Sequence, residues 1–381
     1  MAADGSLIWN SRGVRLQPAE LNPFLLHCVQ NGASDITFQS GEIVRVEVNG
    51  VLRYGTRKAF DSSDMQMVID TITQDTSAKT QLAGGRYLDR SYEFSVGERG
   101  EDSYRQRFRV NIMPLWADGR HGQQVTMRVI ERIAPEIESL GLEADLLPWL
   151  QPRNGMIWIT GPTGAGKTTV KVAILRWRAR GGCGKVITLE DPIEYTYDDI
   201  EVEGTLISQH EIGRDVVSFA EGLRSGLRRK PAGFDIGEAR DAETLLAALE
   251  AARTGHWTMV TSHTSSVAET VDRAVVEFPA QEQEARAFDV IHTARCIVAQ
   301  ILVPNAKGGR RVGLREYLGF SEEIRRQILK KPRVEWSEEI EGLVREAGQS
   351  MSKAAFKAAD RGLIDEQTYE WVVGRARAVS A

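Results

Sequence analysis

Between residues 42 and 54 apolar and polar side chains alternate: Val44, Val46 and Val48 lead into Asn49-Gly50, and Val51 follows. A period of two about an Asn-Gly pair predicts a β-hairpin. Further strand-like stretches at 92–96, 107–113 and 124–129, with helical patterns at 18–30 and 64–73, predict a small α+β domain over residues 1–132. The periodicity lapses over 133–142, which carries Pro135 and Gly141, and a linker is expected there. Beyond it come short apolar runs at 156–160, 185–189, 234–236, 257–261 and 296–302, each followed by a segment of helix length. Unbroken apolar runs read as strands covered on both faces, so an open, mostly parallel α/β sheet is expected over 143–320. The charged stretch 321–381 has a helical pattern.

Composition narrows this picture without redirecting it. With 42% hydrophobic residues in 381, the chain has material for sizeable cores, and disorder is not the default. Its 48 basic and 53 acidic side chains nearly cancel, which gives no global pull toward DNA or anionic lipid. Cys28, Cys183 and Cys296 are too few and scattered for a disulfide framework or a four-cysteine zinc site, as expected of a reducing cytoplasm. The first residues lack a basic segment followed by an apolar core, and no run of about eighteen apolar residues occurs. Any membrane role is therefore expected to be peripheral.

The chemistry concentrates between 161 and 264. Gly161-Pro162-Thr163-Gly164-Ala165-Gly166-Lys167-Thr168-Thr169 is a complete Walker A pattern between the apolar run 156–159 and the helix-compatible 170–177. Its glycines let the backbone curl so that N–H groups and a helix amino terminus face an anion. Lys167 can then reach the β- and γ-phosphates, and the Thr168 hydroxyl can ligate Mg²⁺. A glycine-rich turn capping a Rossmann-like helix is the plain alternative, but it leaves the lysine and threonine unexplained. Further on, Glu190, Asp191 and Glu194 lie just past a strand, at the sheet edge where α/β folds bind ligands. They form either a solvated acidic turn or a pair that holds magnesium through water and orients the attacking water. Glu238 ends the next apolar run as the candidate acid beside metal and water; Asp241 and Glu243 after it also suit a helix start. His256 and His263 bracket the run 257–261, where a histidine is as readily a structural hydrogen-bonding residue as a catalyst.

The order of these segments is more specific than any one of them. Walker A, Thr188–Glu194, Gly237–Asp241 and the pair Thr254-Gly255-His256 and His263-Thr264 resemble the four signature boxes of the secretion and pilus (GspE/PilT-type) ATPase superfamily. The chain is most similar to the retraction branch, and within it to the DotB/TraJ-like motor ATPases of Dot/Icm secretion and plasmid conjugal transfer. The resemblance implies a PAS-like amino-terminal domain, a RecA-like ATPase core and a homohexamer that binds ATP with Mg²⁺. It places this ring on the cytoplasmic face of an inner-membrane secretion apparatus, with no direct nucleic-acid binding. By residue it implies phosphate and magnesium roles for Lys167 and Thr168, an acidic pair in Glu194 and Glu238, and a histidine box in His256 and His263. Arg109 and Arg120 match arginines extended from the small domain toward the γ-phosphate, where an arginine stabilises the charge of phosphoryl transfer.

Three departures qualify the match. Asp235 interrupts the apolar Walker B strand, and Ala232 stands where relatives carry an acid, so that Asp235 is expected either to point at the metal or to weaken the strand. The zinc motif and additional amino-terminal region of assembly-type relatives are missing, and 323–329 is only a distant counterpart of the retraction branch's carboxy-terminal motif. The first absence favours the retraction or transfer branch, and the weak carboxy-terminal motif favours a secretion or conjugation role over pilus retraction. A RecA-like helicase would use Arg224, Arg228, Arg229 and Lys230 on a nucleic-acid strand, and a nucleotide-gated adaptor would bind ATP with little turnover.

Overall fold

The computed structural model describes residues 8–9, 16–48, 50–97, 103–117, 119–130, 135–197, 200, 202–239, 241–308 and 310–379. They form two compact units, Met1–Arg132 and Ile133–Ala381.

The first unit begins with α1 (Pro18–Gln30), followed by β1 (Ala33–Gln39), β2 (Ile43–Val48) and β3 (Val51–Ala59). Helices α2 (Ser62–Thr73) and α3 (Ala78–Ala83) precede β4 (Leu88–Val96), β5 (Tyr104–Ala117) and β6 (Arg120–Ile130). The strands pair antiparallel in the order β3-β2-β1-β6-β5-β4. Val48 faces Val51 across the expected hairpin. All the strands but the exposed edge strand β3 offer one face to the core, where Ile36, Phe38, Val44, Val46, Phe108 and Val110 meet Leu21, Phe24 and Leu25 of α1 and Met65 and Ile69 of α2. Asp61 caps α2 by accepting from the Ser63 and Asp64 amides.

The second unit opens with one-turn segments at Ile137–Leu140 and Leu147–Leu150. Then come β7 (Gly155–Thr160), α4 (Lys167–Arg180), β8 (Gly184–Glu190), β9 (Thr205–Glu211), α5 (Phe219–Leu227), β10 (Gly233–Ile236), α6 (Ala242–Arg253) and β11 (Trp257–Ser262). After α7 (Val267–Val276) and α8 (Gln283–Thr293) the chain forms β12 (Ala294–Val303) and β13 (Val312–Gly319). It ends in α9 (Glu322–Leu329), α10 (Trp336–Glu346), α11 (Met351–Asp360) and α12 (Glu366–Val379). The seven-stranded sheet runs β13-β12-β7-β11-β10-β8-β9, and all but the β12–β13 pair are parallel. Every residue of β7 and β10 is buried, as strands covered on both faces require. Met156 and Trp158 face one core with α6 and α7, while Ile157 and Ile159 face the other with α4.

Three strands escape the apolar-run reading. β1 carries Ser34 and Asp35, β9 is a half-buried edge strand of mixed polarity, and β13 places Arg315 and Glu316 in mid-strand. The expected linker is also shorter than 133–142. Ile137 is buried against α4's core, and the Leu140 and Gly141 carbonyls accept bonds from Arg315, so the segment from Ile137 onward belongs to the second unit.

Candidate active site

β7 ends at Thr160 and α4 starts at Lys167, and the turn between them is built on glycine: φ is 145° at Gly161, 77° at Gly164 and 78° at Gly166. At Gly161 a β-carbon would fall 2.2 Å from the Gln300 carbonyl oxygen, so the close approach of two backbones excludes any side chain. Buried Ala165 offers its carbonyl to Gln300 Nε2 at 2.6 Å, while Pro162 and Thr163 form the more exposed rim. Gly166 caps α4, whose first-turn N–H groups have no partner inside the helix and carry the positive end of its dipole. Thr168 and Thr169 sit half-buried in that first turn. This is an anion cradle.

The parallel order β7-β11-β10 sets two more groups beside it. Ser262 at the end of β11 pairs with Thr160, so His263 emerges next to the loop; Ile236 at the end of β10 pairs with Val260, and Glu238 follows. Lys167 Nζ donates to the Gly161 and Pro162 carbonyls at 2.7 and 3.2 Å and stands 3.3 Å from His263 Nδ1. An ammonium only donates, so Nδ1 accepts and the ring proton sits on Nε2, 3.2 Å from Glu238 Oε1. Burial lowers the Lys167 pKa, and the Glu238 charge works against that shift. Lysine, imidazole and carboxylate therefore stand in one line of close polar contacts across the cradle, a hydrogen bond at the lysine end and an ion-pair distance at the glutamate end.

The other acids lie deeper or apart. Glu190 turns into the core, where it accepts from Thr188 Oγ1 at 2.6 Å and Gln209 Nε2 at 3.0 Å. Asp235 neither aims at the metal position nor weakens its strand: β10 pairs regularly with β8 and β11, and the carboxylate meets the equally buried ammonium of Lys171, one turn beyond Lys167 on α4. Nζ stands 3.1 Å from Asp235 Oδ1 and also donates to the Ile236 carbonyl at 3.1 Å. The carboxylate contact is an ion pair without the direction of a good hydrogen bond, and the Tyr197 hydroxyl beside it takes no bond among the described residues. Removing one partner of such a pair strands the other, at about 3–5 kcal/mol.

Glu194 is half-buried in the loop after β8 and makes no hydrogen bond or ion pair among the described residues. The same loop is held from β9, where Gln209 Nε2 donates to the Tyr195 carbonyl at 2.8 Å and Glu211 accepts from the Ile193 amide at 3.3 Å. His256 does not join His263. It precedes β11, roughly 20 Å of strand from the loop edge, and its Nδ1 is engaged with the Ala251 carbonyl at 3.1 Å while its ring meets Phe234 edge-on. In the first unit Arg109 is exposed on β5; Arg120 starts β6, and its side chain lies outside the described residues.

Two buried polar residues escaped the motif reading. Gln300, which holds Ala165, accepts from Arg315 Nε at 2.7 Å, and Arg315 donates onward to the Leu140 and Gly141 carbonyls at 3.0 and 3.2 Å. Glu136 in turn binds Arg176 and Arg180 of α4, and its hydrogen bond from Arg180 holds its pKa below the usual carboxylate range. The phosphate loop and its helix are thus each tied to the segment that leaves the first unit. A mid-strand arginine in β13, buried where its neighbours Leu314 and Tyr317 are apolar, was the sequence signal for this bracket.

A glycine cradle at the carboxyl edge of a parallel sheet, with lysine, threonine, histidine and glutamate around it, defines a P-loop ATPase with a RecA-like core. Comparison with known proteins agrees. Residues 15–369 match the family described as "Type II/IV secretion system protein", and the chain belongs to that family. It is 31% identical over 291 residues to the type IV pilus retraction ATPase PilT of Pseudomonas aeruginosa, covering 76% of this chain and 80% of that protein. The Escherichia coli protein YggR is 33% identical over 282 residues, 74% of this chain and 81% of its own length. Among solved structures, the Legionella pneumophila ATPase DotB superposes with a TM-score of 0.87 at 37% identity, over 97% of this chain and 99% of that one. The pilus retraction motor PilT with bound ADP superposes with a TM-score of 0.77 at 29% identity, over 92% and 96%.

Burial raises the Glu190 pKa. Between its unfolded value of about 4.3 and that raised value, the folded chain keeps a proton the unfolded chain has lost, so this group's contribution to stability falls as pH rises. Glu190→Gln removes the titration and keeps the oxygen that Thr188 and Gln209 reach. Unfolding midpoints in denaturant, followed from roughly pH 4.5 to 8, should move in the variant's favour relative to wild type as pH increases. A difference that stays constant with pH contradicts the assignment.

Proposed function

We propose that the chain is a Mg-ATP-hydrolysing motor that works as a homohexameric ring on the cytoplasmic face of an inner-membrane secretion or conjugal-transfer apparatus of the Dot/Icm kind. The observation that carries this reading is the line from Lys167 through His263 to Glu238 above the glycine cradle. The likeness to the DotB ATPase over nearly the whole chain supports it, and the match to the type II/IV secretion system family favours a secretion role. No described helix is long and apolar enough to cross a membrane, which suits docking from one side.

The residues fit a magnesium nucleotide, because the cradle leaves no room for a β-carbon at Gly161 and the oxygen partners of the Lys167 ammonium are neutral loop carbonyls. Thr168 and Glu238 would hold the magnesium, which supplies neutralisation of the phosphate oxygens. Lys167 would exchange the Gly161 and Pro162 carbonyls for β- and γ-phosphate oxygens. Glu238, oriented by His263 Nε2–H, would direct and deprotonate the attacking water, with Glu194 as the acid of the neighbouring loop. Arg109 and Arg120 would close on the γ-phosphate held by the same chain, hinged just before Ile137. Neither rival gains support here. The Lys171 ammonium compensates the Asp235 charge that motivated an inert adaptor. Two members of the arginine cluster are engaged locally: Arg224 pairs with Glu243 at 2.7 Å, and Arg229 meets His210 at 3.0 Å.

Steady-state ATPase assays test the site. Lys167→Ala should abolish turnover; Glu238→Gln should keep nucleotide binding and lose about a hundredfold or more in kcat; His263→Ala should lose about tenfold with KM little changed. Wild-type turnover in Lys167→Ala would overturn the site. Light scattering tests the ring: a hexamer mass is expected with Mg²⁺ and a non-hydrolysable ATP analogue, and a monomer mass at high concentration in every nucleotide state would contradict it.

A further inference from the structure

The buried ammonium of Lys171 has no part in the P-loop chemistry described above, and its cost has to be met by something. Lysine is among the residues least often fully buried, and here it stands in a helix otherwise flanked by Val170, Val172 and Ala173. Its length spans from α4 to the end of β10. At the α4 end it lies one turn from Lys167 and three residues from Thr168, so it shares their rigid helix. At the β10 end it bonds the Ile236 carbonyl, two residues before Glu238. Among the described residues, no other α4 side chain bonds to β10.

The turn that carries Glu238 is anchored from two further sides. The Gly237 amide donates to the Leu189 carbonyl of β8 at 2.7 Å, and Thr261 of β11 donates to the Gly237 carbonyl. Both anchors tie the turn to the sheet. Neither ties it to the helix that holds the phosphates. Lys171 does, and Asp235, 3.1 Å away, supplies the charge that keeps an ammonium tolerable at that depth, with Glu190 and Tyr197 packed nearby.

We propose that Lys171 is a positioning residue for ATP hydrolysis: through the Ile236 carbonyl it sets Glu238 in register with Lys167 and Thr168, and Asp235 is its counter-charge. The inference rests on the ATPase reading of the site. Displacing a catalytic group by about 1 Å can cost about a hundredfold in rate, whereas phosphate binding by Lys167 and the loop amides does not depend on Glu238. Loss of Lys171 therefore lowers kcat and leaves KM nearly alone. A purely structural ion pair would lower the melting temperature instead, with kcat per folded molecule unchanged.

The test uses the full chain with Mg-ATP. In K171M/D235L both charges go and each replacement keeps its side chain's branching, so no charge is stranded. Its kcat should fall at least about tenfold with KM within about threefold of wild type. Leu249→Ala, a cavity in α6 remote from the turn, serves as the stability control: it should lower the melting temperature by more than the double variant does and keep wild-type kcat. Should K171M/D235L not fold, K171M/D235N, which also removes the donor to the Ile236 carbonyl and leaves a neutral side chain on β10, carries the same expectation. A kcat within about twofold of wild type in the folded variant overturns the proposal, as does a loss of kcat in Leu249→Ala of the same size. Lys167→Ala in the same assay separates the two readings: if it is inactive while K171M/D235L is fully active, the site stands and the positioning role falls. Absence of turnover in the wild type would overturn both.

Discussion

The nucleotide site hangs on one close approach, between the backbone of Gly161 and the carbonyl of Gln300, which leaves 2.2 Å where a β-carbon would have to fit. Only glycine permits it, and the loop can then turn its amides and the amino terminus of α4 toward a single point. Everything else is placed relative to that point by the order of the parallel strands. β11 lies beside β7 and β10 beside β11, so His263 and Glu238 reach the loop from neighbouring strand ends although far apart in sequence. Local backbone conformation makes the cradle, and sheet topology furnishes it.

Charge placement follows from the same geometry. Carboxylates are needed near a triphosphate for metal and water but repel it, and the chain separates these demands by depth. Glu238 stays within reach of His263 at the surface of the cradle, while Glu190 and Asp235 are withdrawn into the sheet, one held by Thr188 and Gln209 and the other set against Lys171. On the opposite side of the loop, Gln300 and Arg315 connect Ala165 to Leu140 and Gly141, and Glu136 connects to α4. Those contacts hold the loop and its helix to residues 136–141 of the second unit.

Much of this was legible in the residues. The glycines, lysine and threonine of the loop have no joint purpose other than phosphate, and apolar runs such as 156–160 and 257–261 can only be strands covered on both faces. The histidines were not told apart there: the resemblance grouped His256 with His263, and the strand direction separates them, since in a parallel sheet ligands sit at the carboxyl edge, after β11 and not before it. What stayed hidden were pairings between distant, individually unfavourable residues. Asp235 in a strand and Lys171 in a helix each look like an error alone, and only the packing of α4 on β10 shows that they answer one another. Arg315 likewise breaks the apolar pattern of β13, because its reason is Gln300 on the adjacent strand and two carbonyls in the segment leading from the first unit. Strand β9 has no apolar run to find, since among the described residues it is the edge of the sheet and only half-buried.

If Arg109 and Arg120 close on the nucleotide as proposed, the presence of a γ-phosphate moves the first unit. Electron–electron spin distances measure it directly, with labels on K58C in the first unit and E250C in the second, Cys183→Ser in the background, and excess unlabelled chain to isolate distances within one subunit. Both label sites are exposed and lie outside the proposed catalytic groups. The distance distribution should differ clearly between a slowly hydrolysed ATP analogue with Mg²⁺ and ADP with Mg²⁺, and the difference should vanish in Lys167→Ala. Superimposable distributions in the two nucleotide states, with binding of both nucleotides verified, would contradict the claim.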